Sequence, residues 1–198
     1  MAWEELGREA ERENSRRRDK LVGVYIGILA VVLAISSLGG NNADQDATQQ
    51  NIAASNIWGF FQAKNARRQA LRLHADEFDM MLKSTPAMPD DVKKSIEAKI
   101  ADYKVQDKTL TSDPKTGEGL DELFNKGKAL EAQRDEALQR GPYFDYGQAL
   151  LQIAIVLASV AIISEGTFLL VVSFILGGLG MLSTIGGFTL AFPLPFAS

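Results

Sequence analysis

The sequence has no cysteine, and histidine occurs once, at His74. The first absence excludes disulfides, zinc-thiolate sites and thiol catalysis. The second leaves no histidine pair for a metal centre or a base relay. Charge is missing in places too. Residues 21–38 carry none, and residues 147–198 carry only Glu165. Every other acid and base lies in 1–20 and 41–146, so the mean hydropathy of -0.04 averages over two very different kinds of segment. Such partitioning marks a membrane chain. The net charge is -4 and no long block of like charge occurs, so no nucleic-acid partner is expected.

What is present begins with three apolar segments. The first is Leu21–Leu38, 18 residues, near the lower limit of the ~20 needed to cross the hydrocarbon core as a helix. Its length and its 20-residue polar leader suit an uncleaved anchor better than a signal peptide. The second runs from Gly147 to Ile163 and the third from Thr167 to Phe192, with only Ser164-Glu165-Gly166 between them. Three residues suffice for a tight turn, and Glu165 belongs at the membrane surface. The third segment can span with tilt or with a bend at its glycines.

Basic residues near the spans set orientation. Arg8, Arg12, Arg16, Arg17, Arg18 and Lys20 lie before the first span, whereas Lys64 is the first base after it. The expectation is a cytoplasmic leader at 1–20, an extracytoplasmic region at 41–146 and an inner (cytoplasmic) membrane location.

Residues 41–146 show no sustained period-two alternation, and their helix breakers cluster. Breaks are expected at Pro86/Pro89, across 112–119, and at Gly141-Pro142. They divide the region into helices at about 43–84, 90–111 and 119–140. Each carries a narrow three-four apolar stripe, such as Val92, Ile96, Ile100 and Tyr103 in the second. That pattern suits coiled-coil pairing. At about 1.5 Å per residue the first helix rises roughly 60 Å and the other two descend a similar distance. A two-arm hairpin turning at 84–89 follows. The fold class expected is an all-α membrane protein with three transmembrane helices and an extramembrane coiled-coil hairpin.

Small residues on the first of these helices form a strip at four- and three-residue steps: Ser55, Gly59, Ala63, Ala66 and Ala70. Trp58, Phe60 and Phe61 flank it. The strip reads first as a tight seat for the returning arm and second as a subunit contact. In the third span, Gly177, Gly180, Thr184 and Gly187, with Ser173 and Ser183, permit close packing. Packing on the second span accounts for some of them, and their spread around the helix points to more than one partner, so self-association through this span is the expectation. Gln148 and Gln152, four apart at the start of the second span, share a face. Helix packing is the first reading and a polar path the second. No span has a midplane charge, which argues against proton-coupled transport.

Two other features carry no chemistry on inspection. His74 has Asp76, Glu77 and Asp79 nearby, but these point mostly to different faces. The Asp113–Gly119 loop matches neither a P-loop nor an EF-hand and reads as an ordinary turn. No nucleophile–base pair or ligand set can be assembled, so neither enzyme activity nor a cofactor is expected.

The run Ala54-Ser55-Asn56-Ile57-Trp58-Gly59-Phe60-Phe61-Gln62-Ala63-Lys64 resembles the signature of a bacterial membrane family known as domain of unknown function 4337. The resemblance resumes at Leu130-Glu131-Ala132-Gln133-Arg134-Asp135, passes through Phe144-Asp145, and continues from Leu150 to Ser159. It covers about residues 25–190. It implies one span, a helical extramembrane region and two further spans, but no activity. The chain departs from the pattern in two places. Gly59-Phe60-Phe61 stands where the family often has Ala-Tyr-Tyr, which removes phenol hydroxyls. Ser164-Glu165-Gly166 stands where the last turn is often basic. The function expected is structural: a scaffold in contact with membrane lipid, as a homo-oligomer or a subunit of a larger complex. The alternative is an oligomeric channel or transport accessory with Gln148 and Gln152 lining its path.

Overall fold

The computed structural model describes the backbone of residues 2–164 and 166–193, and side chains at Glu13 and from Arg16 onward within those ranges. The Glu165 turn lies outside the described residues, as do the side chains of Arg8 and Arg12. Among the described residues the fold is all-helical: α1 (Ala2–Ser84), α2 (Asp90–Thr111), α3 (Leu120–Ser164) and α4 (Thr167–Thr189). Three of them, α1, α3 and α4, contain a stretch long and apolar enough to span a membrane.

The breaks at 84–90 and 112–119 have local causes. Pro86 and Pro89 cannot donate to a helix ladder, and each pushes its predecessor toward extended backbone. α1 accordingly closes at Ser84, and α2 opens on Asp90 and Asp91, whose charges suit a helix N-terminus. In the second break the Asp113 carboxylate accepts from the backbone N–H groups of Lys115 and Thr116 and from Thr116 Oγ1. This is an Asx turn. Gly117 follows at φ 69°, a left-handed conformation that costs glycine nothing. Glu122, in the first turn of α3, accepts from Ser112 Oγ at 2.7 Å and from the Asp113 N–H, closing the loop. Those bonds favour the charged forms: the Thr116 hydroxyl holds Asp113 below its ordinary pKa, and the Ser112 hydroxyl does the same for Glu122.

The expected break at Gly141-Pro142 does not occur. α3 runs through Pro142. The first span and the helix at 43–84 likewise form one continuous helix, through Gly39 and Gly40. A proline inside a helix forfeits a hydrogen bond at a cost of ~3 kcal/mol or more. Here the next two residues, Tyr143 and Phe144, are buried at 6% and 1% exposure, and that packing holds the helix across the gap.

The chain forms two compact units. One comprises Met1–Ala47 and Asp135–Ser198, the other Thr48–Arg134. The first contains parts of α1 and α3 and all of α4. Its centre is Leu29, Leu151 and Ala154, with Tyr25, Val32, Leu33, Ile155, Leu176 and Met181 against it. In the second unit α1 meets α2 and α3 in antiparallel succession. Asn51 reaches Arg134, Trp58 reaches Glu131, Lys64 reaches Glu118, Arg72 reaches Asp107 and Phe78 stacks near Tyr103. The chain passes between the units twice, both times within a helix.

Candidate helix–helix interfaces

In the first unit, glycines of two helices form sockets for aromatic rings of a third. Gly40 of α1 and Gly187 of α4 both face Phe144 of α3. A β-carbon on Gly40 would stand 3.3 Å from Phe144 Cβ, and one on Gly187 would stand 2.8 Å from its Cζ. Gly39 faces the same ring. Gly186 faces Tyr143, whose hydroxyl donates to the Phe192 carbonyl. Phe188 meets Phe144 edge to face at 4.9 Å. Close backbone approach of this kind is how helices pack when lipid removes the hydrophobic drive between them.

The buried hydroxyls in this unit are all engaged. Ser173 Oγ donates to the Ala154 carbonyl at 2.7 Å, and Tyr25 Oη donates to the Ser173 carbonyl at 2.9 Å. Ser36 donates to the Phe144 carbonyl and Ser183 to the Tyr143 carbonyl. Thr184 donates back to Gly180 within α4. An apolar interior demands such pairing, because a lone buried hydroxyl costs ~1–3 kcal/mol.

The predicted residues of the third span therefore sit inside the unit. Gly177 lies against Tyr25 and Leu29 of α1, Gly180 against Leu151 of α3, Thr184 against Gly147 and Gly187 against Phe144. The partners that their spread suggests are α1 and α3 of the same chain, so these residues are covered within one chain and not left open for the self-association expected of them. Gly178 alone among the span's glycines faces open space. The two glutamines separate. Gln148 is half-buried, with its Nε2 near Gly40, whereas Gln152 is exposed.

The second unit places its aromatic contacts on one side of α1. Trp58 donates from Nε1 to Glu131 Oε1 at 2.9 Å, and its ring lies on Gly127, where a β-carbon would come within 2.9 Å. Phe61 and Phe124 complete the group, each meeting Trp58 edge-on at 5.6 Å. Lys128 also pairs with Glu131 at 2.7 Å, and with the indole N–H it holds that carboxyl below its ordinary pKa. Phe60 points elsewhere, exposed beneath Lys64. Farther along, Arg72 grips Asp107 with two hydrogen bonds, at 2.7 and 3.0 Å. The guanidinium keeps the Asp107 carboxyl below its ordinary value.

The small strip on α1 does not seat the returning arm. Ser55, Gly59, Ala63, Ala66 and Ala70 are all exposed, and a β-carbon on Gly59 would meet nothing within 4 Å. Among the small residues buried along α1 are Gly40, Ala43, Ala47 and Ala54, a different strip. Periodicity reveals both strips, but only a partner decides which is covered. Gly39, Gly127 and Phe144 escaped sequence reasoning because each matters through a residue distant in the chain.

The chemistry at hand is sparse. His74 is exposed, 3.2 Å from Glu77. Among the described residues no three His, Asp or Glu side chains are grouped to hold a metal ion. A cleft of about 180 Å³ lies between Leu71, Arg72, Tyr103 and Asp107. That is below the ~300–1,000 Å³ of ordinary small-molecule sites.

The family model described as Domain of unknown function (DUF4337) matches residues 18–190, most of the chain. No curated protein and no solved structure matches.

Proposed function

We propose that this chain, which belongs to the family described as Domain of unknown function (DUF4337), is a non-enzymatic structural protein of a membrane. Its three apolar helices cross the bilayer. The segments of α1, α2 and α3 in the second unit pair as a coiled-coil hairpin. The protein works by association, with copies of itself or within a larger membrane complex. The observation that carries this reading is the two-sidedness of α1 between residues 52 and 80. One side is engaged by α2 and α3, while the opposite side keeps Ile52, Leu73 and Met80 more than half exposed. Exposed apolar side chains aligned along a helix mark an interaction surface.

The proposed orientation keeps the leader in the cytoplasm and residues 41–146 outside, with a bacterial inner membrane as the location. The basic leader supports it. The test of function is the mass of the detergent-purified protein. A species larger than one chain, or one with a stoichiometric co-purifying protein, is expected. A strictly monomeric species without a partner overturns the reading.

Exposed Gln152 favours a second reading, a pore between copies. A lone amide on a lipid-facing helix is costly, and a polar path would relieve it. Gln148, turned toward Gly40, contributes less than sequence spacing suggests. Conductance in reconstituted vesicles that falls in Gln152→Leu would favour the pore; unchanged conductance removes the lining.

A further inference from the structure

The geometry points to one occupant for the outer face of α1: the same face of a second copy, parallel and in register from Ile52 to Leu73. This rests on the associative role proposed above and specifies its partner.

Three observations carry it. The first is periodicity. Ile52, Gly59, Ala66 and Leu73 recur every seven residues, and Asn56, Ala63 and Ala70 interleave at the same period. All seven are exposed, on the side of α1 opposite Ala54, Trp58, Phe61 and Leu71. A seven-residue repeat is the pattern of two helices wound around each other, and the inner side of α1 already has its partners.

The second is charge. Two chains inserted the same way in one membrane run parallel, so a symmetric pair brings each residue against its own copy. Any charge on the seam would then face itself. Residues 47–63 contain no charge at all, and the face stays neutral through Ala66, Ala70 and Leu73. Glu77 is the first charge on it, and the proposed seam stops before that residue. A charged partner would leave no reason for this neutrality; an identical helix requires it.

The third is the thinness of the second unit. Only Ala54, Ile96, Gly119, Leu120, Leu123 and Gly127 are buried between Thr48 and Arg134. A segment of this size with so little interior lacks the burial that offsets its conformational entropy. Glycine and alanine at the centre of the seam let two α1 helices approach closely. Ile52 and Leu73 at its ends would bury the apolar area that the single chain leaves in water.

The test uses the absence of cysteine in the full-length chain. Single cysteines replace Ala63 and Ala70 on the seam, and Gln69 and Asp76 on exposed flanks away from it. Membranes holding each variant are oxidised and run on a non-reducing gel. Ala63→Cys and Ala70→Cys should convert mostly to covalent dimer, since facing β-carbons in a close parallel pair fall within disulfide reach. Gln69→Cys and Asp76→Cys should remain at least fivefold less dimeric. A second arm measures detergent-solution mass for Ala66→Arg, with helix content by circular dichroism as the folding check. Loss of the multimer with helicity kept supports the seam. A multimer that persists in Ala66→Arg, or cross-links equally at Gln69, overturns the seam but leaves the associative role standing. A wild-type chain that is strictly monomeric in detergent with no co-purifying protein, together with no cross-linking at Ala63→Cys or Ala70→Cys, overturns both.

Discussion

Phe144 of α3 occupies the space that any side chain at Gly39 of α1 would need: its Cζ lies 2.7 Å from where that β-carbon would stand. The same ring fills the position opposite Gly187 of α4. One buried phenylalanine therefore sets the spacing of all three apolar helices.

The cost of a methyl group at Gly39 follows from that contact. Gly39→Ala should lower the stability of the detergent-solubilised protein by ~1–3 kcal/mol, the usual penalty for overpacking a filled site. Gly178→Ala, which meets nothing within 4 Å, should stay within about 0.5 kcal/mol of the parent. Thermal unfolding of the two variants side by side checks this. Equal behaviour would mean that the socket is not tight.

A parallel case lies in the second unit. Gly127→Ala pushes against the Trp58 ring, and a loss of ~1–3 kcal/mol is expected. In a Trp58→Leu background the same substitution should cost much less, because the ring it displaces is gone. A double-mutant cycle measures the coupling. Additive effects would separate the two residues.

Acid should weaken the arm pairing in a defined direction. Arg72 holds the Asp107 carboxyl below its ordinary 3.8 when folded. A depressed folded pKa contributes stability that is fully present above the unfolded value and is lost as pH falls through the folded one. The stability difference between the parent and Asp107→Asn should therefore be present at neutral pH and vanish well below 3.8. Denaturation followed by circular dichroism across that range reads it. A difference that does not change with pH would mean that the ion pair is not its source.

Orientation is open to direct labelling in a cysteine-free chain. A membrane-impermeant maleimide added to intact cells should label Thr85→Cys in the α1–α2 turn. It should reach Ser15→Cys in the leader only after lysis. The reverse pattern inverts the proposed topology.

Much of this architecture is written in local sequence. The apolar segments follow from where charge is withheld, and the turns at Pro86/Pro89 and Asp113–Gly119 follow from residues that cannot continue a helix. Gly141-Pro142 misleads for a non-local reason. Its propensity to break is real, but Tyr143 and Phe144 are fixed by glycines about a hundred residues earlier and forty later. The small strips on α1 pose the same difficulty. Gly40-Ala43-Ala47-Ala54 and Ser55-Gly59-Ala63-Ala66-Ala70 have equally good helical spacing, and the first is covered while the second is open. Spacing identifies a surface fit for close approach; which surface is used depends on the path of the returning chain.

The glycine sockets imply an unusual tolerance profile. In an ordinary interior the damaging changes delete atoms, since each lost methylene leaves a void. Where Gly39, Gly186 and Gly187 receive Phe144 and Tyr143, the fit is made of atoms that are not there. A saturation scan through these helices should find the sockets by their intolerance of addition: alanine, usually the mildest replacement, would be among the harmful ones at those positions.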